Sequence, residues 1–85
     1  MIRYTVVWHQ DTQNQLAQIW LDALNRAAVS QAANAIDTYL ATDAHTKGSP
    51  VEGELLELTI SPLSVLFAVS EPDRLVKILY VSVID

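Results

Sequence analysis

The chain has 85 residues, the length of one domain, and 51% of them are hydrophobic, which supplies a core and excludes a disordered chain. It has no cysteine, so a disulfide staple, a thiolate metal site and a cysteine nucleophile are excluded. Five Lys and Arg stand against ten Asp and Glu, a formal charge of −5, and the basic residues (Arg3, Arg26, Lys47, Arg74, Lys77) are scattered along the chain; nucleic-acid binding draws its affinity from phosphate neutralisation, so direct binding to RNA or DNA is not expected.

The opening "MIRYTVVWHQ" lacks the apolar stretch and cleavage site of a signal peptide and reads as a first strand. Ile2, Tyr4, Val6 and Trp8 share one face; Arg3, Thr5, Val7 and His9 share the other. Asp11 is the expected N-cap of a helix. Its apolar stripe is Leu16, Ile19, Trp20, Ala23 and Leu24 at helical spacing, with Trp20 expected in the core and Trp8 at the core or its rim. The phase breaks at Asn25, which caps a second helix showing Val29, Ala32, Ala33, Ile36 and Leu40 on one face. The alanines suit close approach to a neighbour, and the short joint predicts an αα-hairpin.

"ATDAHTKGSPVEG", residues 41–53, reads as a polar loop, since it holds both glycines and one of the three prolines. The stretch "VEGELLELTISPLSVLF", residues 51–67, reads as two strands joined at Pro62. Leu56, Leu58 and Ile60 alternate with Leu55, Glu57 and Thr59; Leu63, Val65, Phe67 and Val69 alternate with Ser64, Leu66 and Ala68. "EPDR", residues 71–74, suits a type I turn. "LVKILYVSV" is apolar on both faces and belongs inside the sheet. The fold class is therefore α+β in the order β–α–α–β–β–β, one domain over residues 1–85, with both helices on one face of an antiparallel meander. No apolar run reaches the roughly 20 residues of a membrane helix, so a cytoplasmic protein without membrane contact is expected.

Catalytic constellations are sparse. His9 and His45 read as exposed, without partners at metal-ligand spacing, and neither Gly48 nor Gly53 belongs to a phosphate-binding loop. No metal or cofactor is expected. Glu52 and Glu54 would share a face of an early-starting strand, with Glu57 on the other; they read as a solvated strand start that guards against edge pairing.

The stretches "YTVVWHQDTQNQLAQIWLD", "RAAVSQAANAIDTYLATD", "GSPVEGEL" and "SPLSVLFAVSEPDRLVKILYV" together resemble the RelE/ParE family of type II toxin–antitoxin toxins, also known as plasmid stabilisation proteins, over nearly the whole chain. The resemblance implies a compact α+β toxin fold, a small cognate antitoxin and one of two targets. RelE-like members cut messenger RNA on the ribosome; ParE-like members inhibit DNA gyrase. The sequence departs from the RNA-cleaving pattern. Where that pattern has Arg or Lys after the glycine of the second strand, this chain has Glu54, Leu55 and Leu56. Where it has an early Arg in the next strand, this chain has Leu63 and Ser64, and it ends in "VSVID" rather than with an Arg, His or Tyr. RNA cleavage needs charge stabilisation at the phosphate and a proton relay, so the expectation is a toxin-family protein acting through protein contact, with the antitoxin and a gyrase-like target. The alternatives are a non-toxic binding module of the same fold, or a ribosome-dependent nuclease whose catalytic residues have moved to His45, Arg74, Lys77 and Tyr80.

Overall fold

The computed structural model describes residues 1–84. Asp85, the last letter of "VSVID", lies outside the described residues. The elements are β1 (Thr5–Trp8), α1 (Gln10–Asp22), α2 (Arg26–Leu40), a single 3-10 turn (Ala44–Thr46), β2 (Ser49–Glu52), β3 (Leu55–Ile60), β4 (Leu63–Ser70) and β5 (Leu75–Val83). The sheet runs β1-β5-β4-β3-β2. β3, β4 and β5 form the expected antiparallel meander, and β1 pairs parallel to β5, which lies inside the sheet. The predicted order holds with one strand added.

The added strand is β2, which sits where a loop was expected and pairs antiparallel to β3. Its four residues are all exposed, so they carry no alternation to read, and Pro50, lacking an N–H, fits only an edge. Gly53, at φ 57, opens the two-residue turn between β2 and β3. Residues 51–67 therefore hold parts of three strands. Glu52 ends one strand and Glu54 stands in the turn, so they do not share a strand face. Gly48 is constrained in a different way: at φ 80, a Cβ there would lie 2.7 Å from Cζ of Phe67.

The inner face of the sheet carries Leu63, Val65 and Phe67 from β4 and Val76, Ile78 and Val81 from β5, all buried. A bulge opposite Leu66 and Phe67 leaves Leu79 without a register partner. It shifts the alternation by one, so Val81 turns to the core while Tyr80 stays 48% exposed.

The helices cover this face unequally. Asn25 caps α2 as expected, accepting from the Ala28 N–H at 3.0 Å, and Val29, Ala32, Ile36 and Leu40 are buried. The cap of α1 is His9, not Asp11: its Nδ1 accepts from the Asp11 N–H at 3.4 Å. The helix begins this early because the His9 N–H makes the last bond to β5, at Ile78 O, 3.0 Å. Asp11 stays in the first turn, where a carboxylate complements the helix dipole. Along α1 only Thr12 is fully buried. Trp20, expected in the core, is 38% exposed, and Leu24 is fully exposed. Ser30, Ala33 and Asn34 of α2 face this space beside Trp20, and their side chains are too small to fill it. Of the alanine stripe, Ala32 is buried and Ala33 is only partly so.

Candidate functional site

The unfilled space is an open groove of about 710 Å³ between α1 and α2, on the outer side of the helical layer. Leu16, Ala17, Trp20 and Leu21 form one wall, and Val29, Ala33 and Asn34 form the other. Trp8 lies at one end, its indole N–H donating to Asp37 Oδ1; Asp37 is the only ionisable residue in the lining. The groove is therefore apolar, with a single anionic end. That composition suits the apolar face of a helix carrying one basic or hydrogen-bond-donating residue. Sequence reasoning missed Leu21, Asn34 and Asp37. The signal was present, because Leu16, Ile19, Trp20, Leu21 and Leu24 make an apolar wedge wider than one buried stripe needs.

Two of the five basic residues are committed elsewhere. Arg26 lies over the Trp20 ring, 4.7 Å from its centroid, and donates to Trp20 O and Leu21 O at the end of α1. Lys47 does the same for α2: it lies 4.2 Å from the Tyr39 ring centroid and donates to Tyr39 O and Thr42 O. Cations at helix C-termini satisfy free carbonyls and the dipole together. Two of the five basic residues thus hold helix ends.

Of the four sequence candidates, His45 and Arg74 come together around Tyr4, a buried residue beside β1 that sequence reasoning only placed on one face of the first strand. The Tyr4 hydroxyl donates to Glu71 Oε2 at 2.8 Å and meets His45 Nδ1 at 2.8 Å. The Arg74 guanidinium stands 5.9 Å from the ring centroid. A phenol has one proton; with it given to Glu71, the oxygen accepts from Nδ1–H of His45. Burial raises the Tyr4 pKa, reinforced by the hydrogen bond and charge of Glu71, while Arg74 and His45 act in the opposite direction. The cluster ties together the start of β1, the turn after α2 and the β4–β5 turn. Lys77 and Tyr80 are not part of it: both are exposed on β5, on the side of the sheet away from the helices. Among the described residues no group of His, Asp and Glu is placed to hold a metal ion.

Beside that cluster, Asp43 at φ 51 accepts from the Ile2 N–H at 2.9 Å. That bond holds its carboxyl below the usual value against the effect of burial, with help from the N-terminus, His45 and Lys47. No helix is long and apolar enough to cross a membrane among the described residues.

No protein-family model matches the sequence, and no curated protein matches it. Solved structures do match in fold. One is the toxin–antitoxin complex RelBE2 from Mycobacterium tuberculosis, at TM-score 0.80 and 16% identity over 98% of this chain and 93% of that one. Another is the chromosomal ParDE toxin–antitoxin system from P. aeruginosa, at 0.71 and 19% over 100% of both chains. The archaeal RelE–RelB complex from Pyrococcus horikoshii matches at 0.70 and 18%, over 98% of this chain and 96% of that one. With its two helices laid on one face of a five-stranded mixed sheet, this chain has the fold of the RelE/ParE toxins.

Proposed function

We propose that this protein is the toxin-fold component of a toxin–antitoxin pair, and that it works by binding proteins rather than by cleaving RNA. The observation that supports this best is the α1–α2 groove, an apolar channel open to solvent with Trp20 and Leu21 exposed along it. An antitoxin would lay the apolar face of a helix there. The disposition of the basic residues points the same way, since Arg26 and Lys47 serve helix ends, which leaves Arg3, Arg74 and Lys77 for the phosphate contacts an RNA face would need. A gyrase-like protein is the target class this reading favours.

The test is co-expression with candidate antitoxins, small proteins encoded next to this one's gene, followed by titration calorimetry. A stable complex that Leu21→Glu weakens at least tenfold, with an unchanged melting curve, is the expected result. A complex indifferent to Leu21→Glu removes the groove from the reading, and no complex at all leaves a non-toxic module of the same fold. One observation favours a second reading, a ribosome-dependent nuclease: His45 and Arg74 do meet, at Tyr4. That reading requires translation to stop on induction and to recover with His45→Ala and Arg74→Ala. Unchanged translation sinks it.

A further inference from the structure

The side of the sheet away from the helices is covered by nothing in the chain. It is apolar at the centre: Leu66 and Ala68 of β4 are half-buried, while Val7 of β1 and Tyr80 of β5 are exposed. Register places Val7 and Ala68 on either side of Lys77, and Leu66 between Tyr80 and Glu57. Polar residues border it, with Ser82, Ser64 and Thr59 in one row and Thr5 and Ser70 flanking Leu75 at the other end. An apolar centre with a polar border is the anatomy of an interface.

Glu52, opposite Leu55, lies on this face at its β2 edge, and across its centre stand one cation and one anion, Lys77 on β5 and Glu57 on β3. Both are exposed and make no side-chain hydrogen bond among the described residues. They stand two strands apart and two residues out of register, about 12 Å between Cα atoms, too far to pair within one chain. Their arrangement is self-complementary. A two-fold axis in the plane of the face, crossing β4 midway between them and perpendicular to the line joining them, exchanges their positions. Each Lys77 then meets a Glu57 of the second copy, and Leu66 and Ala68 lie near the axis.

From this we infer that the open face of the sheet is a self-association surface, pairing two copies of this chain face to face through two Lys77–Glu57 contacts. The surface is opposite the helical groove and does not depend on the function proposed there. It measures roughly 19 by 20 Å, below the ~800 Å² per partner of a standard interface, so the pairing is weak and reversible.

Sedimentation velocity of the purified chain, from low micromolar to millimolar concentration, reads this directly. The expected result is a reversible dimer whose Kd rises at least tenfold in Lys77→Glu and in Glu57→Lys, and returns near the wild-type value in the double swap. The two single changes move the net charge in opposite directions and the double swap leaves it at −5, so a general charge effect does not produce that pattern. Both side chains are exposed, and circular dichroism confirms that each variant folds. A chain that stays monomeric throughout overturns the proposal. So does a dimer insensitive to both reversals, which would meet elsewhere, for example along the β2 edge. A double swap that fails to restore pairing overturns it too, as does a face covered only by a different protein.

Discussion

The two helices of this fold have similar apolar spacing and different fates. α2 turns Val29, Ala32, Ile36 and Leu40 into the core, whereas α1 fully buries only Thr12 and leaves Trp20, Leu21 and Leu24 exposed. The difference lies in what each meets. α2 lies on β3 and β4 and its buried residues join the core cluster with theirs; α1 rests on β5 and faces α2 across Ser30, Ala33 and Asn34. A hydrophobic stripe is buried only where a neighbour is large enough to reach it. The surplus on α1 is the surface a binding partner would use.

The largest expected effect tests the anchored helix. Ile36 is fully buried, and Ile36→Ala should destabilise the protein by about 2–5 kcal/mol in denaturant unfolding, through lost transfer energy and a cavity. The helix starts give a smaller contrast. Asn25→Ala removes a capping bond of 3.0 Å and should cost about 1 kcal/mol. His9→Ala removes a longer bond of 3.4 Å and should cost less; equal losses would show that α1 depends on its cap as much as α2 does. Leu21→Ala, on the open side of α1, should change stability by less than about 0.5 kcal/mol. A loss as large as that of Ile36→Ala would mean that the groove closes in solution, and the comparison would fail.

The smallest effect is a pH dependence at the α2 end. The Asp43 carboxyl titrates below its ordinary value because the Ile2 N–H donates to it. A depressed folded-state pKa contributes stability that is present above the unfolded value, about 3.9, and is lost as pH falls through the folded value. Thermal melts below about pH 5 should show this loss, and Asp43→Asn should flatten it. Asparagine tolerates the left-handed backbone at that position, so the variant isolates the charge.

Much of the architecture was legible because it is periodic. The alternation of β1, β3 and β4 and the helical spacing of α2 describe which residues point the same way, and that follows from backbone geometry; β5 was legible as a strand apolar on both faces, inside the sheet. Asn25 was legible as a cap because a short polar side chain before an apolar run has a local job. β2 was not legible: four exposed residues with a proline have no pattern, and only pairing with β3 makes them a strand. The candidate site was legible in part. His45 and Arg74 could be named as chemically capable, but Tyr4 was legible only as a member of one strand face, and nothing in a linear reading brings Glu71 to it.

What the sequence determined by itself is therefore a set of local periods, caps and turns, together with an acidic charge balance. These depend on residues within a few positions of one another. The tertiary structure alone decided which stripes are filled, that a bulge at Leu79 turns Tyr80 outward, and that Lys77 and Glu57 share an uncovered face. Those outcomes depend on the size and register of side chains brought together from distant segments.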